Sequence, residues 1–192
     1  MNDEPLIAYE PAPPVPARAV TAESERVIDL PTPDYQNGMP LMQALLRRAS
    51  CRAFTSAELP MNTLGALLWA ADGVNRPASG GRTAPMHRLI LKHAVDARGQ
   101  TGYQDFVGHA PLDLVYVVQT SRLIEMSVEQ CKRFSAVTTG AIAQNVALYC
   151  ASAGLSSVVR GWLSERILSD ALSLNEDEVP ILAQTIGFPT SK

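Results

Sequence analysis

Three short clusters hold the side chains of this sequence best suited to chemistry. The first is Arg48-Ala49-Ser50-Cys51-Arg52-Ala53-Phe54, which sets two guanidiniums and a hydroxyl within five residues, with Arg47 adjoining. The planar fork of arginine captures phosphate or carboxylate through paired hydrogen bonds. On an extended backbone Arg48, Ser50 and Arg52 face one way and Cys51 and Ala53 the other, because side chains alternate along a strand. One side can then hold an anion while Phe54 anchors the segment in the core. The competing expectation is a solvated, charged helix end with a capping interaction. The second cluster is Ala141-Ile142-Ala143-Gln144-Asn145. It places two amides in an otherwise apolar helix, and buried amides need hydrogen-bond partners from a loop, a partner subunit or a polar ligand. The third is Ser156-Ser157-Val158-Val159-Arg160-Gly161-Trp162. A glycine after an extended run can bring its backbone N–H close to a ligand. Trp162 is expected to cap the core, with Arg160 either at the site or a surface charge.

Other chemistries find little support. His87, His93 and His109 lack the spacing of a zinc site and have no adjacent cysteine. No serine lies in GxSxG, and no P-loop is present. Glu176, Asp177 and Glu178 form a charged turn rather than a general acid/base pair. Arg48 and Arg52 beside Cys51 would favour its thiolate, but a structural or incidental cysteine is the expectation, and Cys131 and Cys150 fit helix packing. Three dispersed cysteines make neither a disulfide framework nor a metal quartet and suit a reducing, cytoplasmic compartment. With 16 Lys and Arg against 19 Asp and Glu, the net charge of -3 argues against nucleic acid as partner. No run of 18 apolar residues exists, so a membrane span is not expected. The acidic, proline-rich start is not expected to act as a signal peptide.

The elements that must position these clusters follow from periodicity. At 192 residues and 46% apolar, the chain can bury a sizeable core. Eight of the 14 prolines precede residue 41, so residues 1–39 are expected to be a proline-rich N-terminal arm. It is either loose or laid on its own domain or a partner subunit, and residues 40–192 form the domain proper. Pro40 opens a helix with the stripe Leu41, Met42, Leu45 and Leu46, closed by Arg47 and Arg48. Thr55 or Ser56 is expected to cap a following turn, and Pro60 opens a second helix, with Leu64, Leu67, Leu68 and Ala71 buried and Gly73 and Asn75 ending it. Residues 76–86 form a loop. Strands are expected at 87–94 and 112–118, the latter central and covered on both faces. A helix at 124–133 precedes a long, Ala-rich one capped by Ser135, buried nearly all round and ended by Gly154. A strand at 156–161, a helix at 163–173 and a last strand at 179–188 complete the chain, and Pro180 puts the last at an edge or a strand start. The order gives an α+β domain: a small mixed central sheet packed with helices.

Four stretches, RASCRAF at 48–54, LLWAADGVNR with RTAPM at 67–86, AIAQNVALYCASAGLSSVVRG at 141–161 and ILAQTIGFP at 181–189, together resemble the FMN-dependent nitroreductase family. They look most like its small bacterial SagB- or ThcOx-like branch. The resemblance implies a nitroreductase-like fold and an intertwined homodimer with FMN at the interface and the N-terminal arm crossing to the partner. It implies that Arg48, Ser50 and Arg52 hold the FMN phosphate and ribityl chain, that Pro85 and Met86 lie near the flavin, and that Asn145 lies near the ring or interface. The backbone of Arg160 and Gly161 would lie against flavin N5 and O4. Met86 stands where the family has a small polar residue. Lys192 is the one candidate for the basic residue after Gly187-Phe188-Pro189. The implied activity is hydride transfer from NAD(P)H through FMN to a nitroaromatic, quinone or similar small electron acceptor, with no protein nucleophile. Alternatives are an azoline-type substrate dehydrogenase, a non-catalytic FMN-binding protein and an anion-binding interaction module.

Overall fold

The structure is a computed structural model, and it describes residues 29–76, 81–82, 104–123 and 126–190. Helix α1 (Leu41–Arg47) starts on Pro40, whose carbonyl accepts from the Gln43 and Ala44 N–H groups. Ala44 alone in α1 is buried, and the stripe of Leu41, Met42, Leu45 and Leu46 is exposed. Helix α2 (Met61–Asp72) starts on Pro60, as expected, with no side-chain cap. It buries Leu67, Leu68 and Ala71, and Leu64 packs beside them. Gly73 ends it because the Trp69 ring lies over that position, where a Cβ would collide with Trp69 Cδ1. The Tyr35 ring packs tilted against Trp69 with centroids 4.9 Å apart, and Pro31 lies against Gly65, so residues before α1 run along α2.

Part of the expected loop is strand: β1 (Val74–Arg76, which includes Asn75) and β2 (Gly81–Arg82) pair antiparallel. The strand expected at 87–94 lies outside the described residues. The main sheet comprises β3 (Leu112–Gln119), β4 (Ser156–Arg160) and β5 (Glu178–Gly187), ordered β3-β5-β4 with both ladders antiparallel. A single parallel bridge from Ser50 to Ser157 extends it. Among the described strands β5, not β3, is central. Pro180 is tolerated there because it pairs with Val117 at the register shift after Tyr116, where the ladder is already interrupted.

Helix α3 (Val128–Ser152) is one continuous helix of 25 residues, where a break before Ser135 was expected. Its cap is Ser127: Gln130 N–H donates to Ser127 Oγ at 3.2 Å and Ser127 N–H donates to Gln130 Oε1 at 2.8 Å. Ser135 is buried inside the helix. Gly154 ends α3 at φ +71, with Leu155 N–H reaching Cys150 O at 2.8 Å. Ile142, Ala143, Val146 and Cys150 form the core with Leu114, Tyr116 and Ile186 of the sheet and Leu67, Leu68 and Ala71 of α2. The burial is one-sided: Val137, Gly140, Ala141 and Gln144, at helical spacing, are exposed. Helix α4 (Glu165–Leu172), capped by Ser164, packs Leu168 beneath β5. No helix among the described residues is long and apolar enough to cross a membrane.

Candidate functional site

Residues 48–55 are sewn across one end of the sheet by backbone bonds. Cys51 N–H donates to Ser157 O at 3.1 Å, which seats the segment beside β4. Thr55 N–H donates to Phe188 O at 2.9 Å, and Phe54 bridges Pro189 just past β5. Phe54 is the anchor that the sequence implied. It is buried with Ala110 and Val158, and its ring lies 6.1 Å from that of Phe106. Gly187 makes this possible, since a Cβ there would lie 2.7 Å from Pro111 Cδ and 3.3 Å from Phe54 Cδ1.

With both ends pinned, Ser50 and Arg52 are exposed and Arg48 is half-buried at the end of α1, while Cys51 turns partly inward. Neither Arg48 nor Arg52 has a carboxylate partner among the described residues. The result is a cationic edge with a hydroxyl at its centre, on a segment tied to the sheet by backbone bonds at Cys51 and Thr55.

Asn145 is half-buried on α3 and engaged, whereas Gln144 is exposed and needs no internal partner. The Arg160 side chain is neither a surface charge nor available to a ligand. It is 4% exposed, as is Asp113, and its Nη2 donates to both Asp113 oxygens at 2.7 and 2.5 Å. Arg160 Nε donates to Thr185 Oγ1 at 2.9 Å, and that hydroxyl donates to Asp113 Oδ1 at 2.8 Å. Arg160 is buried as a whole residue and pairs with Ala183; the exposed corner begins at Gly161, whose O accepts from Leu163 N–H at 3.1 Å. Trp162 does not cap the core; it is 94% exposed, because β4 ends at Arg160 and the chain leaves the sheet there. Pro85, Met86 and Lys192 lie outside the described residues.

Sequence reasoning missed Ser157 as the seat of the arginine segment and Asp113 with Thr185 as the grip on Arg160. A signal for Asp113 existed: a lone acid within the apolar strand LDLVYVV demands a partner. Beneath the sheet, burial pushes the Cys150 thiol up to about 12. Burial also raises the pKa of Tyr116, whose hydroxyl donates to Gln184 Oε1 at 2.5 Å.

The profile of the nitroreductase family matches residues 89–188. A nitroreductase-type protein from Ralstonia eutropha JMP134 is 48% identical, with 98% of this chain and 99% of that chain covered and a TM-score of 0.81. Nitroreductase A from Vibrio parahaemolyticus is 22% identical at a TM-score of 0.65, covering 79% of this chain and 69% of that one. The NADPH:FMN oxidoreductase from Vibrio harveyi, solved with NAD+, is 21% identical at the same TM-score and coverage. No protein of curated function matches the chain.

Proposed function

The chain belongs to the nitroreductase family, and on that footing we propose that it is an FMN-dependent oxidoreductase passing electrons from NADH or NADPH to a nitroaromatic, quinone or similar small acceptor. The observation that carries this reading is the cationic edge of Arg48, Ser50 and Arg52, pinned by the Cys51–Ser157 and Thr55–Phe188 bonds. Its donor set fits a phosphate: two guanidiniums supply charge and paired N–H donors, and the serine hydroxyl supplies a third direction of hydrogen bonding. Because the backbone is fixed at both ends, little ordering entropy opposes binding.

FMN, when bound, supplies the centre that takes up hydride and releases electrons. The chain's own tasks are then to hold and orient. Arg48 and Arg52 neutralise the phosphate, and Ser50 donates to it. The Arg160–Gly161 corner offers backbone to the polar edge of the ring, with Asn145 as the α3 contribution. Pro85, Met86 and Lys192 enter the proposal through the family resemblance alone. The exposed stripes of α1 and α3 are the surfaces proposed for the homodimer, with FMN at its interface. Assignment to the SagB- or ThcOx-like branch makes azoline-type compounds the second substrate class to assay.

The test is to titrate purified protein with FMN and follow the visible flavin band. Arg52→Ala should weaken FMN binding by roughly tenfold to a hundredfold, the usual weight of a charged hydrogen bond. Without oxygen, NADH or NADPH should bleach the band, and a nitroaromatic or quinone should restore it. Protein that stays colourless in excess FMN, or an Arg52→Ala variant of undiminished affinity, overturns the assignment. Binding without bleaching reduces it to a flavin carrier.

A further inference from the structure

We propose that Asp113 is a positioning residue: with Thr185 it grips the Arg160 guanidinium and so fixes the Arg160–Gly161 backbone, a role that rests on the flavin reading above. The three side chains come from three strands. Asp113 on β3 lies directly opposite Thr185 on β5, and Arg160, the last residue of β4, lies diagonal to Thr185 with Ala183 as its own partner. The ladder stops at Arg160, and the next residues, Gly161 and Trp162, are exposed. A strand end with no further pairing frays unless something else holds it.

The Nη2 bonds to both Asp113 oxygens and the Nε bond to Thr185 supply that hold. They lock the guanidinium in orientation as well as position, which an apolar side chain in the same place does not do. A buried ion pair is a poor device for stability alone, because desolvating both charges offsets most of their attraction. Its presence where β4 ends, next to the exposed corner, points to placement of that corner. Alternation along β4 also puts Arg160 on the face of Val158, the residue that packs against Phe54. The same three strands thus set the corner relative to the Arg48–Phe54 segment, which is seated on Ser157 three residues earlier.

Asp113→Asn, and the milder pair Thr185→Val and Thr185→Ser, test this in the full-length protein. In the Asn and Val variants, FMN affinity should stay within about threefold of the parent, since Arg48, Ser50 and Arg52 are on another segment. The bound flavin's midpoint potential and absorption maximum should shift, and Thr185→Ser should restore both. In flavin-free protein, amide hydrogen exchange at residues 160–163 should rise by about tenfold or more while the rest of β4 and β5 changes less. Leu168→Ala, which opens a cavity beneath β5 from α4, serves as control for lost stability. The proposal is overturned if Asp113→Asn and Thr185→Val behave like that control, with a lower melting temperature, an unchanged potential and no exchange change confined to 160–163. Should Asp113→Asn not fold, the Val and Ser variants decide alone. Should the parent bind no FMN, the proposed function falls, and the exchange data still report whether Asp113 holds the corner.

Discussion

Cys150 lies in the core against the sheet, near Tyr116, and burial moves its thiol from the ordinary 9.0 up to about 12. The folded state therefore keeps a proton that the unfolded chain loses. This contribution to stability is whole below about pH 9 and is lost as the pH climbs towards 12. Tyr116 and Tyr149, both raised by burial, act in the same direction. Thermal melts taken at successive pH values from 8 to 11 should show a steepening fall above about pH 9. Cys150→Ala should make that fall shallower without abolishing it, even though it lowers stability at neutral pH. An unchanged slope in the variant contradicts the burial account. The three arginines illustrate the same dependence on surroundings. Arg52 is exposed and Arg48 half-buried, neither with a carboxylate partner among the described residues, while Arg160 spends its charge on Asp113.

At the scale of elements, the arginine segment belongs to no helix or strand and depends on its neighbours for shape. Gly187, the last residue of β5, is where that dependence concentrates, because Pro111 and Phe54 both close over its Cα. Gly187→Ala must displace one of them. The expected cost is about 1–3 kcal/mol of folding stability, typical of an overpacked site. Denaturant unfolding measures it, and FMN affinity should fall with it as the Phe54 anchor shifts. A variant as stable as the parent contradicts the close packing described. The capping box at Ser127 and the left-handed Gly154 define α3 at both ends, so its 25 residues act as one rigid wall beneath the sheet.

For the whole molecule, the distribution of apolar surface is the informative feature. Leu41, Met42, Leu45 and Leu46 on α1 are exposed, and α1 packs on α3, whose Val137, Gly140 and Ala141 are exposed too. Monomers rarely leave so much apolar helix surface uncovered. Sedimentation should give a particle of twice the 20.7 kDa chain mass. Leu46→Glu and Ala141→Arg, which touch no core residue, should shift it towards monomer and lower FMN retention together. A parent protein that sediments as a monomer at micromolar concentration removes the dimer from the proposal.

Local pattern carried much of this in the sequence. The buried face of α2 was legible from Leu64, Leu67, Leu68 and Ala71, and the strands at 112–118, 156–161 and 179–188 from their apolar runs. The end of α3 was legible from Gly154. The Arg48-x-Ser50-x-Arg52 spacing marked the candidate anion edge, because residue type and alternation are properties of neighbours in the chain. The helix start at Ser127 was also written there, in the Ser127/Gln130 spacing, and was passed over in favour of Ser135. The order β3-β5-β4, the exposed side of α3 and the burial of Arg160 were decided only in three dimensions. Each depends on partners far apart in the chain: Arg160 meets Asp113 across 47 positions, and Pro180 is tolerable only because β3 shifts register opposite it. Periodicity states that a face is apolar; which surface covers it, and which charge answers a buried charge, is settled by packing.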